Sequence, residues 1–353
     1  MVYSLVRPLL FRMDAEKVHH RLVRLGTMLQ QVPLVLPVLR SIFTYQHPAL
    51  HVQVDGVAYE NPIGLAAGFD KNGEIPRFMS SFGFGHVEIG SVTSKQHTGN
   101  PKPRVHRVIE EQALVINYGL ANHGAATVKR RIAAYDEKMP IGISIAKTPR
   151  VGGEQGIRDY AQSFRDLSMH GTYTTINISC PNVADGETYG ENPRLLRSLL
   201  QTLSKEKIVS PVYLKLKPDY SHKQIDDILE VINSFPFVKG VIIGNLTKER
   251  KGAVAKRTES GGISGKPTRN KSTALIRYVY KKTNGQLTII GCGGIFTAQD
   301  AYDKITSGAS MLQLITGMIY LGPSTIRNIN KGLVTLLEQD GFKSITEATG
   351  SRA

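Results

Sequence analysis

Between residues 177 and 182 the chain reads Asn-Ile-Ser-Cys-Pro-Asn, two carboxamides on either side of a thiol, with Pro181 stiffening the turn. A carboxamide donates and accepts hydrogen bonds together, so such a pair suits a planar imide or a carboxylate. A thiolate is a competent base, with an ordinary pKa of about 8.5, which makes Cys180 the candidate proton acceptor. Lys71 and Lys215 are the next residues able to do chemistry. Each lies at an apolar run, where an ammonium beside an electron-accepting ring would stabilise its reduced anion. Three glycine-bearing segments complete the set: Gly261-Gly262-Ile263-Ser264-Gly265, Gly291-Cys292-Gly293-Gly294 and Thr316-Gly317. Glycines let backbone N–H groups approach a phosphate closely, so these segments point to a phosphate-bearing ligand. No spacing of histidine, cysteine or carboxylate residues reads as a metal site, and none is expected.

Such residues act together only if a scaffold gathers them. Short apolar or β-branched runs stand at 63–66, 86–92, 141–146, 174–179, 212–216, 240–244, 288–291 and 311–315. Helical patterns at 156–169, 193–205, 221–234, 272–283, 298–307 and 324–338 separate the later ones. Continuous apolar strands alternating with amphipathic helices predict parallel β-structure buried on both faces. Eight such strands predict an α/β protein built as a closed (β/α)8 barrel. In that architecture the active site forms at the C-terminal strand ends, where Ala67, Gly68, Lys71, Ser91, Ser144, Asn177, Lys215, Asn245, Gly265, Gly294 and Thr316 all fall. Helix punctuation agrees: Ser221 precedes the stripe Ile225, Ile228, Leu229, Ile232, and Thr297 precedes Ala298, Ala301 and Ile305.

Residues 1–45 have another character and are expected to form a helical segment apart from a barrel domain at 46–353. Val18, Leu22, Leu25 and Leu29 share one helical face, while Lys17, Arg21 and Arg24 lie on others. This fits a helix pair packed on the barrel, or an interfacial pair whose basic residues meet lipid headgroups. The net charge of +15 favours an anionic partner, and an anionic membrane surface would explain it together with those helices. No run approaches the roughly 20 apolar residues needed to cross a bilayer. Arg7 and Arg12 bracket Pro8, Leu9, Leu10 and Phe11, which leaves no adequate signal-peptide core. Two cysteines, Cys180 and Cys292, imply no disulfide framework and fit a reducing compartment.

The motifs at 66–74 (AAGFDKNGE), 88–93 (EIGSVT), 99–107 (GNPKPRVHR), 177–182 (NISCPN), 261–267 (GGISGKP) and 290–295 (IGCGGI) resemble dihydroorotate dehydrogenase over nearly the whole chain. The N-terminal extension, with Asp14, Glu16 and His19, looks like that of the membrane-associated, quinone-using class. The resemblance implies a tightly held FMN that takes hydride from C6 of dihydroorotate while a base removes a C5 proton. It implies that Ala67, Gly68, Lys71, Ser91, Ser144, Asn177, Lys215, Gly265, Gly294 and Thr316 contact the flavin. Lys71, Asn177, Asn182 and Asn245 would hold the substrate, and His19 and Arg104 would stand near the quinone entrance. Cys180 occupies the place of the serine base usual in the quinone class, and Leu120 and Val183 stand where that class has phenylalanine and threonine. All three look like the soluble, fumarate-using class. Ile116 stands where the family has a substrate-binding asparagine, so Asn117 is expected to take over that contact, and Ser144 replaces another asparagine.

The expectation is therefore oxidation of dihydroorotate to orotate by a peripheral protein on the cytoplasmic side of the cell membrane, with no nucleic-acid partner. Fumarate as the acceptor is the nearest rival. An FMN-dependent tRNA-dihydrouridine synthase, which also sets a cysteine before a proline and binds a polyanion, is more distant, since the Asn-x-x-Cys-Pro-Asn arrangement at 177–182 fits the first family better. A flavin- or phosphate-binding barrel without catalysis is the non-enzymatic alternative.

Overall fold

The computed structural model describes residues 2–135, 139–179 and 188–353. Three helices come first: α1 (Val2–Arg12), α2 (Ala15–Leu29) and α3 (Val35–Phe43). Asp14 caps α2 by accepting the Lys17 amide at 2.8 Å, which fixes where the second helix starts. A short hairpin, β1 (Val52–Val54) with β2 (Val57–Tyr59), then leads into β3 (Ile63–Leu65) and β4 (His86–Val92), with α4 (Pro76–Ser80) between them.

After β4 the chain forms an antiparallel pair, β5 (Val105–Val108) and β6 (Ala113–Ile116), and then α5 (Ala125–Ile132). Parallel alternation resumes with β7 (Ile141–Ile145), α6 (Gly153–Leu167), β8 (Tyr173–Asn177), α7 (Pro193–Leu203), β9 (Val212–Leu216), α8 (His222–Asn233) and β10 (Val238–Ile243). Another excursion carries α9 (Gly252–Ala255) and β11 (Gly262–Gly265), followed by α10 (Arg269–Lys282). The chain closes with β12 (Thr288–Cys292), α11 (Ala298–Thr306), β13 (Met311–Leu314), α12 (Thr316–Leu321), α13 (Thr325–Asp340) and α14 (Ile345–Ala348). Eight parallel strands, β3, β4, β7, β8, β9, β10, β12 and β13, close on themselves in chain order as the expected barrel.

The segment 261–265, expected as a glycine loop, is partly strand: β11 pairs antiparallel with β6, Gly262 opposite Ile116 and Gly265 opposite Ala113. With β5 it makes a three-stranded sheet outside the barrel. Its glycines have little strand propensity of their own, and a partner almost 150 residues away supplies the pairing.

Side chains inside the barrel follow the two-residue period of each strand. Val87 and Ile89 alternate with His86 and Glu88 along β4, all four buried. Across the barrel floor, the Tyr213 hydroxyl donates to Asp55 of the hairpin turn at 2.6 Å, and His86 packs edge-on against Tyr59 and Tyr173. Neighbouring positions are glycine because these rings fill the space: a Cβ on Gly142 would come within 2.1 Å of the Tyr173 ring, and one on Gly64 within 2.0 Å of His86.

Candidate active site

One layer above the aromatic floor the barrel interior is charged. Glu88, fully buried, accepts from Lys215 Nζ at 3.2 Å, Tyr173 OH at 3.2 Å, Thr175 Oγ1 at 3.0 Å and Gln313 Nε2 at 2.8 Å. Four strands supply these groups, so closing the barrel is what assembles the cluster. A buried carboxylate persists only when charged and hydrogen-bonding partners replace its water, and here every donor is itself buried.

The next layer opens into a cavity of about 550 Å³ at the C-terminal strand ends, a size ordinary for a cofactor pocket. Ala67, Gly68, Lys71, Ser91, Asn177, Lys215, Asn245, Gly265, Gly294 and Thr316 all line it, as does His19 of α2. Asn177 Nδ2 donates to Ser91 Oγ at 2.9 Å, and the Ser91 and Ser144 hydroxyls lie 2.8 Å apart. Ser144 thus stands behind Ser91 instead of on the cavity wall. Asn245 Nδ2 lies 3.4 Å from Asn177 Oδ1 and 3.3 Å from Ser179 Oγ, which orients both carboxamides.

Lys71 Nζ is 3.3 Å from His19 Nε2 and 4.0 Å from the centre of the Tyr118 ring. Burial pulls its pKa down to about 8, with Glu16 opposing and Arg104 assisting. Burial, then the nearby Lys71 charge, hold the His19 imidazole well below its ordinary value, so it is neutral at pH 7. Cys292, at the end of β12, also lines the cavity, and burial pushes its thiol up.

Two residues expected at the site lie off the cavity wall. Asn117 is not among the lining residues: its Oδ1 accepts from Asn100 Nδ2 at 2.8 Å and its amide donates to the Arg104 carbonyl, while Ile116 faces the cavity. Arg104 does not line it either. Its guanidinium forks onto Glu16 at 2.7 and 3.0 Å, caps the carbonyls of Thr98 and Asn100, and lies 4.7 Å from the Tyr118 ring centre. Burial alone would raise the Glu16 pKa, but hydrogen bonds from Arg104 and His20 outweigh it and hold the carboxyl low. This pair joins α2 to the segment entering β5, and Arg107, donating to the Met13 carbonyl at 2.7 Å, lines the cavity itself. Cys180 and Asn182, the candidate base and a candidate substrate ligand, lie outside the described residues.

The N-terminal helices form the outer part of the cavity wall through Phe11, Ala15, Val18 and Leu22. The Tyr3 hydroxyl donates to the Ile319 carbonyl at 2.5 Å and Arg7 to that of Tyr320 at 3.1 Å, which ties α1 to α12. Leu5, Leu9, Leu25, Met28, Leu34, Val38 and Ile42 point outward instead, among exposed Arg12, Arg21, Arg24 and Arg40. No helix of the described residues is long and apolar enough to cross a membrane.

The residues missed from sequence are Glu88, Tyr118 and Arg107. For Glu88 the signal was available: an acidic residue between Val87 and Ile89 in a strand-forming run. The other two sit on segments with no period to read.

Residues 49–337 match the family model described as dihydroorotate dehydrogenase. A protein named dihydroorotate dehydrogenase (quinone) from Natronomonas pharaonis is 39% identical over 351 residues, covering 99% of each chain. One of the same name from Gloeobacter violaceus is 39% identical over 350 residues, covering 99% of this chain and 98% of its own. The crystal structure of a DHODH from Eimeria tenella in complex with ferulenol superposes with a TM-score of 0.86 at 28% identity, covering 98% of both chains.

Proposed function

The chain belongs to the dihydroorotate dehydrogenase family, a flavin-dependent one, and on that premise we propose that it oxidises dihydroorotate to orotate in de novo pyrimidine (UMP) biosynthesis, with FMN as cofactor and a membrane quinone as final oxidant. The observation that carries this reading is the single cavity that takes in Lys71, Asn177, Lys215 and Asn245 on one side and α1 and α2 on the other.

The residues present fit a flavin mononucleotide. A Cβ on Gly68 would have only Ile315 Cδ1 within 4 Å, at 3.8 Å, so the bare glycine leaves the cavity open for a flat ligand. Gly265, Gly293 and Gly294 line the cavity and carry φ of 94°, 99° and 72°, a backbone conformation that L side chains rarely adopt. When bound, FMN supplies the acceptor for the hydride from C6 of the substrate and passes electrons on to the quinone. Lys215, held by Glu88, sets a positive charge where the reduced ring would carry a negative one. Lys71 neutralises the substrate carboxylate, and Asn177, Asn245 and Asn182 offer donors and acceptors to its amide edges. Cys180 takes the C5 proton, a thiol needing less assistance than a serine hydroxyl to ionise.

Residues 1–45 serve as the membrane- and quinone-associating segment and 46–353 as the catalytic barrel. The exposed apolar side chains of α1–α3, set among arginines, suit peripheral docking on the anionic cytoplasmic face of the cell membrane. His19 and Arg107, both on the outer cavity wall, are the polar groups a quinone would meet, with Arg104 behind them. Fumarate as acceptor and the tRNA-dihydrouridine reading are not favoured, since the full-length relatives carry the quinone name.

The test follows flavin absorbance of the purified protein on anaerobic addition of dihydroorotate, then of a quinone or of fumarate. Bleaching with recovery by quinone is the expected result. Recovery by fumarate alone would reassign the acceptor, and no bleaching of a bound flavin would overturn the substrate.

A further inference from the structure

Lys304 of α11 is fully buried and forms no ion pair among the described residues. Its Nζ donates to the Arg269 carbonyl at 3.3 Å, to Thr273 Oγ1 at 2.9 Å and to the hydroxyl of fully buried Ser272. These acceptors form the first turn of α10, where the helix dipole is positive and a cation is disfavoured. The charged and titratable groups around the ammonium give little relief. Asp300 is committed to Arg269 Nε at 2.9 Å and to the amides of Phe296 and Thr297. Asp303 accepts from Gln299 at 2.7 Å, Arg269 is itself a cation, and Cys292 is a thiol. Burial pulls the Lys304 pKa down to about 7.

Directly above lies the glycine loop. Ser272 Oγ donates to the Gly293 carbonyl at 3.3 Å, so one hydroxyl separates Lys304 from that loop. A Cβ on Gly294 would meet Arg269 at 2.5 Å and one on Gly293 would meet Thr268 at 2.7 Å, so the loop rests on the same helical turn. A buried cation, a helix N-terminus and Arg269 thus converge behind a stretch of cavity wall. Asp300 balances Arg269, and among the described residues no carboxylate pairs with Lys304.

We propose that Lys304 is the positioning charge of this loop: it draws a phosphate dianion onto the cavity side of Gly293 and Gly294, and the anion and the lysine proton bind together. The inference rests on the flavin reading above, with the phosphate being that of FMN. The proton comes from solvent on binding and returns on release. A phosphate monoester is dianionic above about pH 6, so the coupling acts in the range where Lys304 alone would be neutral.

Riboflavin shares the FMN ring and lacks the phosphate, which isolates the effect. The full-length protein is titrated with each flavin from about pH 6 to about pH 9, and dissociation constants are read from quenching of flavin fluorescence. The ratio of the FMN constant to the riboflavin constant should rise above about pH 7, approaching tenfold per pH unit for one coupled proton. In Lys304→Met the slope should vanish and FMN affinity near pH 7 should fall on the order of tenfold, with riboflavin affinity unchanged. A pH-independent ratio in the unmodified protein, which needs no variant to fold, overturns the proposal and leaves the flavin reading standing. So does a Lys304→Met protein with an unchanged ratio. Binding of neither flavin overturns the flavin reading, and this one with it.

Discussion

Replacing Glu88 by Gln removes one charge from the barrel interior while keeping the shape of the side chain. Its carboxylate is the ion-pair partner of Lys215 at 3.2 Å and the acceptor for Tyr173, Thr175 and Gln313 at 3.2, 3.0 and 2.8 Å. Removing one member of a buried pair leaves the other charge uncompensated, which costs about 3–5 kcal/mol. The three hydrogen bonds to a charged acceptor also become neutral ones, each weaker by about 1 kcal/mol at most, and Gln can turn its amide to recover part of that. A loss of about 4 kcal/mol is expected, against a total stability on the order of 5–15 kcal/mol. Lys215→Met should be destabilising too, by leaving a carboxylate with neutral donors only. The double variant removes both charges and should return to within about 2 kcal/mol of the parent, a coupling of several kcal/mol. The assay is urea unfolding, comparing midpoints at equal m, with saturating FMN and without it, so that lost flavin affinity is not counted as lost fold stability. A cost below about 1 kcal/mol for Glu88→Gln, or strict additivity in the double variant, would refute the reasoning.

Other expectations concern catalysis and the N-terminal helix. Lys71, with its pKa drawn down to about 8, is cationic below that pH, so kcat/KM for an anionic substrate should decline above it. Lys71→Met should be far less active and lack that decline; an unchanged alkaline limb would show that another group titrates. Cys180→Ser should retain some turnover with its pH optimum moved upward, and an unmoved pH–rate profile would count against the thiol as base. Glu16 has a lowered folded-state pKa, so its contribution is present above the unfolded value and is lost as pH falls through the folded one. Glu16→Gln should lower the Tm by several degrees at pH 7, with the gap to the parent closing below about pH 4. A gap that persists in acid would mean that Glu16 acts by packing alone.

The local pattern of the chain determined much of this. Each barrel strand is an apolar run short enough to be told from its amphipathic neighbours, and the strands at His86–Val92 and Val212–Leu216 begin and end where the side-chain pattern changes. Strand ends in turn locate the mouth of a barrel, so Lys71, Asn177, Lys215 and the glycine segments could be assigned to one place without coordinates. Tertiary structure decided what those residues touch. Glu88 and Lys215 are 127 positions apart, Arg104 and Glu16 are 88 apart, and no local period links either pair. The same is true of β11, whose glycines become a strand only because β6 lies beside them. Asn117 shows the limit most directly. One residue of register exchanges the two faces of an extended segment, and here it gives the cavity to Ile116 and Asn117 to Asn100. Periodicity is a property of neighbours in the chain, whereas charge pairing and register depend on neighbours in space.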